Sequence, residues 1–373
     1  MKMKKNNLLI LAVAALSFAA CANDETTAVN EKLAESNEIS FRTLVGGQMR
    51  STDIDGEGLQ TLGFKVFATE TSTTNIYFSE DDFTWDGTSS YTSSTKHYWP
   101  SSGSLDFYAY AKNGSSTITH TGDTKVFVIT PAAAAANQSD FVFANTNGKS
   151  KSTSASGVVL NFRHAMSKVT IKIKNSNAYL TATIKDVTLD YIDNKGTYTY
   201  TGSVSDTNTD TKGASLLKFG DWKNTDATKT SYVQTATTTS YTSATEATAL
   251  PTPFILVPHT LTTATTYSSA TAGSAFNGAN VKVELKLQNT ENSAYIIGGA
   301  GAYETAMWNL PAGSWEPGKH YIYTVDVAGG GYYPTNHDSN EDLDPILEGA
   351  VIKFISVTVD NWSDQTGIDV NNN

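Results

Sequence analysis

Short segments in which apolar and polar residues alternate recur along most of the chain, and they constrain its fold more than any other feature. In residues 168–174, Val169, Ile171 and Ile173 fall on one side of an extended strand, and three lysines and a threonine fall on the other. Such alternation is typical of a strand with one buried and one solvated face. The pattern therefore predicts an all-β protein built from packed sheets.

The same pattern predicts strands at intervals of roughly ten residues, separated by turn-forming dipeptides such as Asp86-Gly87. Two tandem β-sandwiches are the favoured architecture. The segments predicted as strands are 39–43, 62–68, 75–83, 105–111, 126–129, 140–144, 158–162, 168–174, 184–191, 197–200, 253–258, 281–287, 307–310, 321–327 and 353–359.

Stretches with little apolar content divide the chain. Residues 145–157 carry almost none, so we place a boundary there, between an N-terminal sandwich of residues 38–156 and a C-terminal sandwich of residues 157–373. A long loop within one domain is the alternative. Residues 225–248 are mostly Thr, Ser and Ala and are expected to form a solvated loop, and residues 132–136 a connecting helix or loop.

The N-terminus carries a lipoprotein signal that ends at Cys21, the only cysteine. Three lysines precede an apolar run at residues 8–16, and the small pair Ala19-Ala20 precedes the cysteine, which is the pattern of a cleaved secretion signal. We expect residues 1–20 to be a signal peptide, Cys21 to be lipidated and residues 21–37 to be a flexible leader. The alternative, an uncleaved membrane helix, has an apolar run too short to span a bilayer comfortably.

Composition excludes several classes of partner and staple. The formal net charge is −11, and a chain that begins at Cys21 is three units more negative because Lys2, Lys4 and Lys5 leave with the signal. An acidic surface repels nucleic acid and anionic headgroups, so neither is an expected partner. With no second cysteine, no internal disulfide can form, and stability must come from packing and hydrogen bonds.

Three motifs that could bind phosphate, a dinucleotide or calcium lack their required context. Residues 313–319 have phosphate-loop spacing, but His320 replaces the hydroxyl residue and a predicted strand replaces the helix. Residues 298–301 lack the third glycine of a dinucleotide loop. Residues 338–344 begin like a calcium loop but have Leu343 at the turn glycine and Gly349 at position twelve, so a non-standard calcium site is kept only as an alternative. No metal and no cofactor are predicted.

No catalytic spacing emerges either. The G-x-S-x-G elbow is absent, and the only cysteine belongs to the signal. His97, His164, His259 and His320 stand near predicted strand ends without metal-ligand spacing, so structural roles are expected. Paired carboxylates for glycoside cleavage stay open because they need only spatial proximity. We predict that the chain is not an enzyme.

Several segments together resemble the fimbrillin family, the Mfa-like or type V pilins of Bacteroidota, and they span nearly the whole chain after the signal. The residues after the cysteine, 21–25, are similar to the acidic export tag of outer-membrane lipoproteins in that phylum. The segments that carry the resemblance are 39–41 with Arg50, 62–67, 98–100 with 105–110, 160–169, 315–321 and 357–362.

This resemblance implies two transthyretin-like sandwiches and a role as stalk, anchor or tip of a surface fimbria. In stalk members, an Arg-specific protease removes the lipid and the first strand, and the next subunit fills the groove with its own strand. The implied partners are other fimbrial subunits, the outer membrane through lipidated Cys21, and a ligand on a host or bacterial surface.

Arg50 is the predicted processing site, with Ser51 as the new N-terminus. The chain has three arginines, and Arg42 and Arg163 lie within predicted strands whereas Arg50 lies in a polar, glycine-bearing segment. An exposed arginine with no processing role is the alternative. The candidate donor strands are residues 355–359 and the tail 367–370; because the tail is short, a tip or anchor role competes with the stalk role.

A surface lipoprotein that binds glycans is the competing function. Six tryptophans and many tyrosines could stack on sugar rings, although aromatic residues also build sandwich cores.

Overall fold

The structure is a computed structural model, and it describes residues 37–45, 54, 56–88, 90–120, 124–200, 220–242, 247–262, 278–328, 332–334, 343–345 and 354–361. Nearly all regular structure in this part of the chain is β, which confirms the predicted all-β class. One α-helix is described, together with two 3-10 turns at Ala135–Asn137 and Lys151–Thr153.

Seven strands form a closed barrel in the first part of the chain, in the order β1-β4-β3-β2-β5-β8-β9. Their inward aromatic and aliphatic residues form one buried group, the barrel core, which includes Phe41, Phe64, Phe83 and Phe107. The strands are β1 (Phe41–Val45), β2 (Phe64–Glu70), β3 (Ile76–Trp85), β4 (Tyr91–Thr92), β5 (Leu105–Lys112), β8 (Phe141–Lys149) and β9 (Val158–His164).

Helix α1 (Gly56–Leu62) lies between β1 and β2 and places Leu59 in the barrel core. Glu57 in its first turn suits the positive end of the helix dipole. The helix ends at Gly63, whose N–H donates to Leu59 O at 2.8 Å and whose φ of +68° is the left-handed conformation of a helix C-cap.

A four-stranded sheet, in the order β13-β12-β7-β6, combines strands from early and late in the sequence. It packs against outward-facing residues of the barrel through a second buried group, the joining cluster, which includes Phe67, Tyr110, Phe127, Phe143 and Tyr198. The strands are β6 (Thr117–His120), β7 (Val126–Thr130), β12 (Gly196–Tyr200) and β13 (Gly220–Lys223).

Two larger sheets and a two-stranded ribbon make up the rest. The first has β10 (Ser167–Lys174), β15 (Thr248–Ala249), β16 (Phe254–Leu256), β22 (Lys319–Asp326) and β25 (Phe354–Asn361), with β10 and β22 parallel. The second has β11 (Leu180–Asp193), β14 (Lys229–Tyr241), β18 (Asn280–Asn289), β19 (Tyr295–Ile297), β20 (Glu304–Asn309), β23 (Tyr332–Pro334) and β24 (Leu343–Pro345). The ribbon pairs β17 (His259–Thr260) with β21 (Ser314–Trp315).

These two sheets bury their facing sides against each other, as in a β-sandwich. Val169, Ile171 and Ile173 of β10 join Ile184 of β11 and Trp308 of β20 in one continuous group, the sandwich core. The alternation that predicted β10 from sequence is therefore the alternation that builds this core.

Two local predictions were wrong. Residues 225–248 contain the 13-residue strand β14 rather than a loop, because Tyr232 and Gln234 are buried while the neighbouring Ser231 and Thr235 are exposed. Residues 132–136 lead into a single 3-10 turn.

The predicted boundary at residues 145–157 falls between β8 and β9, which pair with each other. Strand β9, after the boundary, lies in the barrel beside β1. Strand β7, before the boundary, pairs with β12 after it. The division into residues 38–156 and 157–373 stays a prediction about independent folding units.

Among the described residues, no helix combines the length and the apolar character needed to cross a bilayer.

Candidate functional site

The first strand of the barrel lies between two partners that hold it unequally. β1 pairs in parallel with β9 over its full length, from Phe41 opposite Val158 to Val45 opposite Phe162. On its other side it pairs with β4 at a single position, Phe41 opposite Tyr91. Most of the ladder that holds β1 is therefore its contact with β9.

The residues before β1 continue along a different segment of the barrel wall. Ile39 N–H donates to His97 O at 2.7 Å, and Trp99 N–H donates to Asn37 O at 2.9 Å. An exposed ion pair, Lys96 to Glu38 at 2.8 Å, lies beside these bonds. Residues 37–45 are thus docked as one extended segment, and the exposed ion pair adds little to that docking.

Phe41 is the aromatic centre of the barrel core. Its side chain has no exposed surface, and its ring stands edge-on to Phe83 at 4.8 Å, Phe107 at 5.3 Å and Phe64 at 6.2 Å between centroids. Edge-to-face pairs at these distances are favourable beyond the area they bury. Ile39, two residues earlier, is also buried in this core. The first strand therefore supplies a plug to the interior as well as a strand to its wall.

Gly157 lets the turn before β9 approach the first strand closely. Its φ is +93°, and a Cβ there would lie 3.2 Å from Ser40 Oγ. The next residue, Val158, donates its N–H to Ser40 O at 2.8 Å. A side chain at position 157 would be strained and would crowd the segment that β9 holds.

Polar groups at the rim of this groove are paired. His97 Nε2 lies 2.9 Å from Asp81 Oδ2, and its ring stacks on Phe78 at 4.0 Å. Partial burial acts to raise the pKa of Asp81, but hydrogen bonds, chiefly that from His97, lower it overall. Burial raises the pKa of Tyr91, the residue opposite Phe41, although its contact with Thr43 acts the other way.

Ile54 is the next described residue after β1, and a buried side-chain pair holds its backbone. Its N–H donates to Asp140 Oδ2 at 2.9 Å. The same carboxylate lies 2.9 and 3.1 Å from His164 Nδ1 through its two oxygens. The Ile54 side chain is buried in the barrel core.

The sequence-predicted site residues are only partly within the described chain. Cys21, Arg50 and Ser51 lie outside the described residues, so their lipidation and cleavage stay predictions. The other two arginines lie in strands, as predicted: Arg42 is half-buried in β1, and Arg163 is buried in β9.

Of the two candidate donor strands, residues 355–359 lie within β25, which pairs antiparallel with β22 from Lys319 opposite Asn361 to Val325 opposite Phe354. The tail 367–370 lies outside the described residues. In this chain the first candidate is thus part of the chain's own sheet.

The tryptophans do not supply a sugar platform in the described chain. Trp99, Trp308 and Trp315 are buried, and Trp85 and Trp222 are half-buried against tyrosines. Trp362 lies outside the described residues. The tryptophans that are described therefore serve packing.

The four histidines near strand ends pair with protein groups. His97 and His164 contact carboxylates, His259 Nδ1 lies 2.8 Å from Val257 O, and His320 Nε2 lies 2.8 Å from Thr170 Oγ1. Within the described ranges, no three His, Cys, Asp or Glu side chains come together as a metal site. Most of the acidic segment 338–344 lies outside those ranges.

Sequence reasoning missed helix α1 and the Asp140–His164 pair. Helix α1 contains two glycines in seven residues, which conceals its period. Asp140 and His164 meet because β8 and β9 pair with Val142 opposite His164, and no local spacing announces that contact.

A family model described as Fimbrillin-like matches residues 52–362, which is most of the chain. Comparison with curated proteins finds no match.

Three solved structures illustrate the similarity of fold. A fimbrial protein from Bacteroides vulgatus is 13% identical, with a TM-score of 0.51 over 88% of this chain and 100% of that one. A protein provisionally named for cell adhesion from Bacteroides ovatus is 14% identical, with a TM-score of 0.44 over 88% and 99% of the two chains. One with the same provisional name from Parabacteroides distasonis is 9% identical, with a TM-score of 0.45 over 89% and 98%.

Proposed function

Because the chain belongs to the fimbrillin-like family, whose members are fimbrial or adhesion-type proteins, we propose that it is a non-enzymatic fimbrial subunit, tip or anchor that assembles by exchange of β-strands. The observation that carries this proposal is the docking of β1. That strand lies N-terminal to Arg50, fills the barrel core through Phe41, and takes most of its ladder from β9. A cut after Arg50 would leave it held by non-covalent contacts alone.

Loss of the cut strand would open a groove with two features that suit another strand. The backbone of β9 from Val158 to Phe162 would lose the partner it has along its full length. The space occupied by Ile39 and Phe41 would face the solvent beside Phe64, Phe83 and Phe107. An unpaired edge with apolar pockets is a template for strand addition.

A donor from another subunit would regain what β1 supplies. It would restore the ladder on β9 and rebury the aromatic pockets, each large side chain contributing about 1.5–3 kcal/mol. When the donor belongs to the next copy, the contact is head-to-tail and does not close, so it propagates as a filament. Other fimbrial subunits are therefore the proposed partners.

The proposed location is the outer surface of the outer membrane, with lipidated Cys21 as the tether before processing. The polar leader 21–37 separates the lipid from β1. Cleavage after Arg50 would release the subunit from its lipid and its first strand in one step. A ligand on a host or bacterial surface is proposed for a subunit at the fibre tip.

Treatment of the purified precursor with an Arg-specific protease tests the proposal. We expect a product that begins at Ser51 and forms ladders resistant to SDS. Arg50→Ala should abolish both the cut and the ladders, whereas Gln48→Ala, a matched change in the same segment, should leave both intact.

Two results would overturn parts of the proposal. A cut product that stays monomeric contradicts strand exchange as a stalk subunit. A chain recovered from cells with its N-terminus at Cys21 contradicts processing and favours an anchor that keeps β1.

A further inference from the structure

The residues that hold Ile54 form a built site that the exchange of β1 does not itself require. Ile54 lies four positions after Arg50 and two before the start of α1 at Gly56. Its side chain is buried in the barrel core, and its N–H is bound to a carboxylate contributed by another strand region. One residue is thus fixed by both its backbone and its side chain immediately beyond the proposed cut.

The carboxylate that accepts this bond is itself fixed. The side chains of Asp140 and His164 are 0% and 4% exposed, and His164 Nδ1 lies within 3.1 Å of both carboxylate oxygens. Asp140 N–H donates to Asn113 Oδ1 at 2.8 Å, which holds its backbone as well. A buried, hydrogen-bonded pair of this kind is costly to break from one side, because the remaining group is left buried without compensation.

The pair connects the segment after the cut to strands that the cut does not touch. Asp140 immediately precedes β8, and His164 ends β9, the strand that pairs with β1. The support for Ile54 therefore depends on the β8–β9 pair and not on β1.

We propose that Asp140 and His164 form an anchor that keeps the processed N-terminus seated on the barrel. The inference rests on the proposed cut after Arg50. Once the cut is made, Ile54 stays bound, α1 stays in place, and only the chain before residue 54 is free to leave. The new N-terminus at Ser51 is then at most three residues from the anchor, a reach of roughly 10 Å.

The anchor separates two events that would otherwise be coupled. β1 must leave its groove for a donor to enter, but α1 contributes Leu59 to the same core. If the cut loosened the chain as far as α1, the groove would lose part of its own wall. Fixing Ile54 confines the opening to the site vacated by β1.

Trimming of the cut protein by a processive aminopeptidase measures where the seated chain begins. We expect the wild-type product to lose no more than residues 51–53, as read from the intact mass. Asp140→Asn keeps the side-chain shape but removes the charge, and His164→Gln removes the ion pair. Each should speed trimming past residue 54 by about tenfold, since bonds to charged groups are stronger than neutral ones by about 1 kcal/mol.

Asp106→Asn is the matched control. Asp106 is a buried carboxylate of the same barrel that accepts bonds from Thr71 Oγ1 at 2.6 Å and Gly148 N–H at 2.8 Å, away from Ile54. Its loss should leave the trimming endpoint unchanged. Wild-type trimming that runs through residue 54, or variants that stop where the wild type stops, would overturn the anchor.

Hydrogen exchange at the Ile54 amide gives a readout that needs no variant. Its protection should be the same within about twofold in the intact and the cut wild-type protein, because its acceptor lies outside the excised segment. Loss of that protection on cutting would overturn the anchor. A specific protease site engineered at residues 47–50 makes the cut independent of Arg50, so failure of natural processing and failure of the anchor are told apart.

Discussion

Phe41 fills the centre of the barrel core from a five-residue strand, so its side chain is the strongest single link between β1 and the barrel. Phe41→Ala should lower the free energy of unfolding by about 3–5 kcal/mol, the usual cost of removing a buried phenylalanine ring. Chemical denaturation followed by fluorescence measures the change. Tyr179→Ala, at a residue that is 62% exposed, is the control and should stay within about 0.5 kcal/mol of the wild type.

His259 should make the sandwich sensitive to acid. Burial lowers the pKa of His259 below its ordinary value, and the ring stands edge-on to Trp315 at 5.0 Å. A buried neutral histidine gains a proton more readily when unfolded, so its contribution is complete above pH 6.5 and is lost as pH falls through the lowered folded pKa.

His259→Asn should therefore flatten the fall in unfolding free energy below pH 6.5. Denaturation midpoints at pH 7.5, 6.5, 5.5 and 4.5 give the comparison. A wild-type and variant profile that run parallel across this range would contradict the assignment.

At the scale of single residues, sequence reasoning identified burial better than partnership. The alternation in residues 168–174 placed Val169, Ile171 and Ile173 in a core correctly. It could not find the Asp140–His164 contact, because that contact depends on the register between β8 and β9 and not on local spacing.

Among the elements, the turn from α1 into β2 is the most sensitive to a single methyl group. A Cβ on Gly63 would lie 2.6 Å from Phe83 O, in addition to the strain of its positive φ. Gly87 also has a positive φ, +86°, but nothing lies within 4 Å of a Cβ there. The two glycines thus separate steric clash from backbone strain.

Gly63→Ala should cost at least about 1 kcal/mol more in unfolding free energy than Gly87→Ala, which should cost about 1–2 kcal/mol from strain alone. Thermal and denaturant unfolding of both variants measure the difference. Equal costs would mean that the Phe83 carbonyl moves aside freely.

The elements themselves were predictable where buried and exposed residues alternate in type. Strand β14 was missed because threonine and serine occupy both of its faces, and the few buried side chains such as Tyr232 and Gln234 do not form an apolar run. The parallel pairing of β1 with β9 was also beyond the sequence, since partners distant in the chain leave no local signal.

Over the whole molecule, the joining cluster binds early and late parts of the chain into one unit. Phe127 of β7 and Tyr198 of β12 pack with Phe141 and Phe143 of the barrel, and β7 pairs directly with β12. Burial raises the pKa of Tyr198 well above its ordinary value, as expected for a hydroxyl shut away from water.

Calorimetry should accordingly show one unfolding transition for the wild type. Tyr198→Ala removes a fully buried ring from the joining cluster, at a cost of about 3–5 kcal/mol, and should split that transition into two. Tyr295→Ala, at a half-exposed ring on the far sheet, is the control and should leave one transition. Two transitions in the wild type would show that the cluster does not couple the halves.

The docking of residues 37–45 also determines how the chain bears load. Backbone bonds run from this segment to residues 97–99 at one end and to β9 at the other, and all of them lie across its length. Tension applied along the segment from its N-terminal side would stretch these bonds in shear, many at once, instead of peeling them one by one. A subunit tethered by its leader would resist being pulled from the cell for as long as that leader is uncut.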